Sequence, residues 1–332
     1  MATKQLQKIV ISRTDSIGDV VLTLPLAGIL KKKYPEATIV MLIKSYTRSI
    51  VACSEYVDEI WEWDVIERWS YNDQIKWLVA HNVDCFIHVF PRKELARLAK
   101  KAEVPIRIGT SHRSYHILTC NKRVNFTRKR SDLHEAQLNT KLLEPLGIKK
   151  EYSLKELASF LGFTKIPDLP KHFKDLLNLD KQKVIFHPKS QGSAREWPLE
   201  QYMSLATQLD ADKFQIFFTG TKNESEEFSH LIPKQDNIVD LSGQMSLEEL
   251  VAFISHVDHL VAASTGPLHI SAACGVHAIG LYTDMRPIHP GRWQPIGNEV
   301  TIIVSEKNNK PTQPLEIDIR VVEKALNAGF KK

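Results

Sequence analysis

Apolar positions along residues 8–30 follow two periods in succession. Ile9, Val10 and Ile11 form a short continuous run, the pattern of a strand buried on both faces. Leu22, Leu26, Ile29 and Leu30 then recur at i, i+4, i+7 and i+8, one face of a helix. The polar loop 14–18 lies between, so the helix is expected to open at Asp19 and to kink at Pro25. The same alternation predicts strands at 38–43, 59–63, 85–89, 106–108 and 123–126. Helices are predicted at 74–81, 93–101 and 132–146, the last ending at Gly147, a C-cap residue. Residues 111–130 are weakly periodic and read as loop around the strand at 123–126. Residues 149–179 carry Pro167 and Pro170 with mixed polarity and read as a linker. Beyond it, strands are predicted at 184–187, 214–219, 238–241, 259–262 and 278–282. Helices are predicted at 199–208, 224–230, 247–256 and 267–274, and an amphipathic helix at 315–326.

Strands separated by helical stretches of this length imply parallel sheets with helical crossovers. The expected fold class is α/β: two Rossmann-like domains, 1–160 and 175–312, facing a cleft. A chain of 332 residues suits two domains, and 43% apolar with 25% charged residues is an ordinary globular composition. No apolar run approaches the ~18 residues a membrane span needs. The opening MATKQLQK leads into a strand without the apolar region of a signal peptide. Cys53, Cys85, Cys120 and Cys274 are far apart and form no CxxC pair, which suits reduced thiols in a cytoplasm.

The net charge of +5 is uneven. Residues 92–130 hold twelve Lys and Arg against Glu94 and Glu103, so the rest of the chain is net acidic. A local basic face attracts an anionic partner, such as a phosphorylated substrate or lipid headgroups, or is simply a solvated surface. Nucleic acid is disfavoured, because Tyr115 and Phe126 are the segment's only Phe, Tyr or Trp residues available to stack on bases.

No GxGxxG follows the first strand and no GxxxxGK[ST] occurs, against a dinucleotide oxidoreductase and a P-loop enzyme. No HExxH or Cys/His cluster points to a metal, and no GxSxG elbow to a hydrolase. The chemistry instead gathers at strand ends. Ser264-Thr265-Gly266-Pro267-Leu268-His269 follows a strand and opens a helix. Gly266 suits a tight turn, Pro267 the first helical position, and the amides there suit phosphate without a metal. The same residues would also serve as a plain helix start. Residues 187–198 hold Lys189, Ser190 and Arg195, suited to diphosphate oxygens, with Trp197 as a packing anchor. Residues 219–224, with Glu224, and 242–246, with Met245, also end strands. In a parallel sheet these loops share one edge, where open α/β sheets bind ligands. The corresponding edge of the first domain carries Asp15, Ser16, Gly18 and Asp19. Asp19 at a helix N-terminus is either a candidate general base or, with Asp15, a cap. Arg13, Ser16, Gly18, Arg92, Lys93 and Arg113 are the candidate ligand contacts of this domain.

In combination, Ser16-Ile17-Gly18-Asp19 with Leu24-Pro25, Arg195-Glu196-Trp197-Pro198, Gly243-Gln244-Met245-Ser246-Leu247 and Ser264-Thr265-Gly266-Pro267-Leu268-His269 resemble glycosyltransferase family 9, the heptosyltransferases of lipopolysaccharide core assembly. The resemblance covers nearly the whole chain. It implies a GT-B fold with the acceptor on the first domain, a nucleotide-sugar on the second, and helix 315–328 crossing back to the first. It implies inverting transfer from ADP-heptose to a lipopolysaccharide inner-core acceptor, with no metal and no cofactor. Asp19 matches the family's base, and Arg195 stands where a phosphate-contacting Lys is common. Thr265, Gly266 and Pro267 match the diphosphate turn, with His269 on the same helix; Glu224 matches the ribose contact and Met245 lies beside the adenine. Two departures stand out. Ser264 replaces an acidic sugar contact of some members, and residues 87–93 lack the usual glutamine-containing acceptor loop. Another nucleotide-sugar donor therefore stays open. A lipid-linked anionic acceptor would also give the basic segment a use, as the peripheral contact of a cytoplasmic enzyme with the inner membrane.

Overall fold

The computed structural model describes residues 5–129, 131–305 and 313–328. The chain divides between Lys165 and Ile166 into two compact units. The first contains β1 (Lys8–Ser12), α1 (Ile17–Val21), α2 (Leu24–Lys33), β2 (Thr38–Ile43), β3 (Glu59–Glu62), β4 (Cys85–His88), α3 (Lys93–Lys101), β5 (Ile106–Thr110), α4 (Ser114–Thr119), β6 (Lys122–Val124) and α5 (Glu135–Lys141). Its sheet is parallel throughout, in the order β3-β2-β1-β4-β5-β6. The second contains β7 (Gln182–His187), α6 (Leu199–Gln208), β8 (Phe214–Phe218), α7 (Lys222–Phe228), β9 (Ile238–Asp240), β10 (His259–Ala263), α8 (Gly266–Ala273), β11 (His277–Tyr282), β12 (Val300–Val304) and α9 (Ile319–Asn327). Its sheet is also parallel, in the order β12-β11-β10-β7-β8-β9.

Both units thus have the Rossmann strand order. In each, the chain winds to one side of the first strand and then returns to the other side at the fourth. This leaves a crevice at the carboxyl ends of β1 and β4, and another at those of β7 and β10. The central strands are apolar on both faces, as in the fully buried β10, because helices cover both sides of a parallel sheet.

Local departures from the expected elements have physical causes. The first helix opens at Ile17, with Ser16 at its N-cap, and it is broken rather than kinked. Leu22 and Thr23 separate α1 from α2, and Pro25 falls in the first turn of α2, where a missing N–H costs nothing. The Thr23 hydroxyl donates to the Asp19 carbonyl at 2.8 Å. The stretch 111–130 contains α4, hidden from the periodicity because α4 leaves Ile117 and Leu118 58% and 74% exposed. The predicted helix 132–146 begins only at Glu135 and finishes in a short 3-10 turn, with Gly147 at φ +76° as expected of a C-cap. Edge strand β12 is half-buried and was not apparent in the sequence.

The expected crossing of residues 315–328 to the first domain is corrected. Leu315, Ile317, Val322 and Leu326 are buried in the core of the second unit with Trp197, Tyr202 and Leu205. The Trp197 indole N–H donates to the Ile317 carbonyl at 3.0 Å. The apolar side of α9 is spent within its own unit, against α6 and β12.

Several core histidines are held neutral. Burial, with His116 and Arg107 nearby, pushes His88 on β4 down to about 3, and both its ring nitrogens are buried without a hydrogen-bond partner. Burial likewise pushes His187 and His259 down to about 4. His259 Nδ1 meets His277 Nδ1 at 2.9 Å, so the pair has room for one proton between them. Each folded value lies below the ordinary 6.5, so the unfolded chain takes up protons first as pH falls. Stability from these rings is complete above about pH 6.5 and is lost as pH falls through 4. The urea midpoint is expected to hold steady above about pH 7 and to drop between 6.5 and 4. A flat midpoint across that window would mean burial does not keep these rings uncharged.

Candidate active site

In the first unit the chain leaves β1 as Arg13-Thr14-Asp15-Ser16 and enters α1 at the crevice. Buried Arg13 is the centre of the site. Its Nε donates to Asp15 Oδ1 at 2.8 Å and its Nη2 donates to Asp19 Oδ1. Its Nη1 donates to Glu135 Oε1 at 3.1 Å and Asn139 Oδ1 at 3.5 Å. Arg128 donates to the same two oxygens, each at 2.9 Å, and to the Val89 carbonyl after β4. The Asn139 amide donates back to the Leu22 carbonyl and the Thr23 hydroxyl, both at 3.3 Å. A buried polar network therefore ties the ends of β1 and β4, and the break between α1 and α2, to α5. The Ser16 hydroxyl donates to Asp19 Oδ2, so both carboxylate oxygens are held. The Asp19 side chain is 16% exposed and that of Arg13 only 3%, so a ligand meets the carboxylate and not the cation behind it.

Burial alone would weaken Arg13's hold on its proton, but Asp15, Asp19 and Glu135 more than offset it and raise the guanidinium above its ordinary value. Burial pushes the Asp15 carboxyl up to about 6 against the pull of Arg13, with the Asp19 charge adding to the rise. Arg92 joins through Thr14: its Nε donates to the Thr14 hydroxyl at 2.6 Å and its Nη2 to the Thr14 carbonyl at 3.3 Å. The structure thus brings Arg13, Ser16, Asp19 and Arg92 together, with Gly18 inside α1. Lys93 and Arg113 are exposed on the same edge, at the starts of α3 and α4.

Sequence reasoning missed Asp15 as a partner of Arg13, and missed Glu135, Asn139 and Arg128 as parts of the site. Glu135 and Asn139 stand at i and i+4 on α5, a spacing that sets two polar side chains side by side. That was the one local signal, and it does not name a partner in β1.

In the second unit the four expected loops do share the carboxyl edge of one parallel sheet. Thr265 is the N-cap residue of α8, Gly266 and Pro267 open the helix, and His269 is buried on it. No side chain caps this helix, and the buried Thr265 hydroxyl has no hydrogen-bond partner. Its first turn therefore has no side-chain cap. Ser264 hydrogen-bonds to the Tyr282 phenol. Buried Arg195 donates from Nη2 to Met285 Sδ at 3.0 Å.

Lys189 and Ser190 are not bare donors waiting for phosphate. Lys189 Nζ lies 2.9 Å from both Glu196 and Glu227, and the Ser190 hydroxyl donates to Glu196 Oε1 at 2.9 Å. Glu224 is buried and completes a capping box with Thr221, whose N–H and hydroxyl donate to its Oε2 at 2.7 and 2.9 Å. A cavity of about 680 Å³ lies between the loop after β7 and the start of α7, lined by Lys189, Gly192, Glu196, Thr221, Glu224 and Glu227 among others. That is the size range of small-ligand sites. Met245 is half-buried in the turn after β9 and does not line it. Among the described residues no group of three or more His, Cys, Asp or Glu is placed to hold a metal ion. No helix among them is long and apolar enough to cross a membrane.

Known proteins resemble this chain along most of its length. A Haemophilus influenzae protein named for glycosyl transfer, with no donor or acceptor specified, is 27% identical over 303 residues, 88% of this chain and 87% of its own. The lipopolysaccharide core heptosyltransferase OpsX of the same organism is 22% identical, covering 90% of this chain and 86% of its own. Among solved structures, a family 9 glycosyl transferase from Veillonella parvula superposes with a TM-score of 0.78 at 19% identity, covering 98% of this chain and 97% of its own. The E. coli heptosyltransferase WaaC with ADP superposes at 0.74 and 18% identity, covering 97% and 99%. Those likenesses show the fold, which is of the GT-B type. Residues 75–317 match the family described as "Glycosyltransferase family 9 (heptosyltransferase)". With most of its length inside that match and a carboxylate and an uncapped helix start at its two crevices, the chain belongs to glycosyltransferase family 9 and is a glycosyl-transferring enzyme.

Proposed function

We propose that this enzyme transfers a heptose from ADP-heptose to a lipopolysaccharide inner-core acceptor, inverting the anomeric centre without a metal ion. The observation that carries the reading is Asp19, its side chain 16% exposed in the first crevice with both oxygens oriented by Arg13 and Ser16. The acceptor hydroxyl gives its proton to Asp19 while its oxygen bonds to the anomeric carbon. The glycosyl–phosphate bond breaks on the opposite face, and its electron pair leaves on the diphosphate. Charge sorts the donor site. The diphosphate suits Arg195 and the amides of α8, which act as preorganised donors. The acidic cavity around Glu196, Glu224 and Glu227 suits the hydroxyls of a ribose better than a phosphate. Relatives named as heptosyltransferases, one of them solved with ADP, support both the sugar and the nucleotide. Ser264, tied to Tyr282 where some members carry an acid, favours a second reading in which the same chemistry moves another sugar.

A thermal-shift panel of ADP, UDP and GDP tests this directly. ADP well above its Kd is expected to raise the melting temperature by about 5 °C or more, with UDP and GDP doing less. Transfer should persist in excess EDTA. A larger shift with UDP or GDP would move the donor to the second reading, and activity that requires added Mg²⁺ would end the metal-free account.

A further inference from the structure

The basic segment 92–129 does not form one face; the topology splits it into two. Helix α3 runs from the carboxyl end of β4 back to the start of β5, and α4 from the end of β5 back to the start of β6. Arg92, Lys93 and Arg113 therefore stand on the same sheet edge as Asp19. Lys100, Lys101, Arg107, Lys122 and Arg123 stand towards the opposite edge. There the last turn of α4 exposes Ile117 and Leu118, at 58% and 74%. Cations surround that turn. Arg123 Nη1 donates to the Ile117 and Cys120 carbonyls, both at 3.2 Å, and Arg107 Nε donates to the Thr119 carbonyl at 2.7 Å. Helix α3, which ends in exposed Lys100 and Lys101, packs against α4.

An exposed aliphatic pair has nothing to gain from a polyanion in water, and Phe126, an aromatic that could stack on a base, is buried. Aliphatic tips framed by Lys and Arg do suit an anionic bilayer, whose headgroups take the charges while the apolar side chains enter the boundary. We propose that the end of α4, with Ile117 and Leu118 inserted among lipid headgroups and Lys100, Lys101 and Lys122 around them, is the surface by which this protein docks on an anionic membrane. Strand β5, five residues and about 17 Å long, runs between the two sheet edges, so the Asp19 edge stands off the bilayer. That standoff suits an acceptor sugar projecting from its lipid. The proposal deepens the acceptor reading above, but its test needs no sugar transfer.

The test is sedimentation with phosphatidylcholine vesicles, with and without phosphatidylglycerol, both free of lipopolysaccharide. The protein is expected to bind only the anionic vesicles, less as salt rises. Neutralising Lys100 and Lys122 together, as Lys100→Gln and Lys122→Gln, should weaken binding by about fivefold per cation. Ile117→Ser with Leu118→Ser should weaken it by roughly tenfold or more, with an unchanged urea midpoint because both side chains are exposed. Binding that ignores phosphatidylglycerol, binding undiminished in the Ile117/Leu118 variant, or tighter binding to polyuridine than to anionic vesicles would each overturn the proposal. Because the vesicles carry no acceptor, failure here leaves the transferase reading standing, and failure to transfer heptose leaves vesicle binding intact.

Discussion

Asp19→Ala is expected to lower kcat by about 10²–10⁴-fold, the usual worth of a positioned general base. Donor affinity should change little, because the groups that suit the nucleotide lie in the second unit while Asp19 lies in the first. The loss should not be one of folding. Arg13 keeps Asp15 and Glu135 when Asp19 is removed, so no buried cation is left unpaired. Asp19→Asn separates the two effects further: it preserves shape, its amide oxygen can still accept from Arg13 while its amide N–H donates to the Ser16 hydroxyl, but it is too weak a base to take the acceptor's proton. Steady-state kinetics with both variants, alongside ADP binding by calorimetry, decide the matter. Undiminished transfer by Asp19→Asn would remove the residue from the role, whereas a lost ADP affinity would mean it shapes the donor site instead.

The second large effect is expected at Glu135, far from Asp19 in the chain. Its Oε1 accepts from both Arg13 and Arg128, and its side chain is only 1% exposed. Glu135→Ala takes one buried partner away from two guanidinium groups at once. Removing one member of a buried ion pair costs on the order of 3–5 kcal/mol. The lower end is expected here, since Arg13 retains Asp15 and Asp19. Urea unfolding measures this directly. Glu135→Gln keeps an accepting oxygen for both arginines and should cost clearly less. The folded Glu135→Gln protein also carries a kinetic prediction. With the anchor of Arg13 weakened, Asp19 loses its fixed orientation, so kcat should fall while the donor KM stays. Wild-type stability in Glu135→Ala would show that the network is not holding the site together.

Much of this architecture was legible before any coordinates. Strand 38–43 and helices 93–101 and 199–208 were placed at the bounds they occupy. These are long elements with one dominant burial pattern, where local hydrophobicity and tertiary environment agree. The grouping of loops on one sheet edge was also legible, because parallel strands leave every carboxyl end on the same side. What escaped was everything whose local pattern is ambiguous. Helix α4 hides because it turns two aliphatic side chains outward, and β12 because an edge strand is half-buried. The closing helix was assigned to the wrong unit because its amphipathic period says that a face is buried, and not against what.

The amino-acid sequence by itself determined most of the strands and helices and which loops share a sheet edge, and it singled out Asp19 and the Thr265-Gly266-Pro267 turn as candidates for the chemistry. Tertiary structure alone decided which polar groups meet. Arg13 finds Glu135 across 122 positions of chain, Lys189 is taken by Glu196 and Glu227, and the cations of 92–129 part to opposite edges of one sheet. The reason is the range of the forces. Burial of an apolar face leaves a period of two to four residues in the chain, readable locally. A hydrogen bond or ion pair between distant segments leaves no such period in the chain near either partner and exists only once the strands have taken their order.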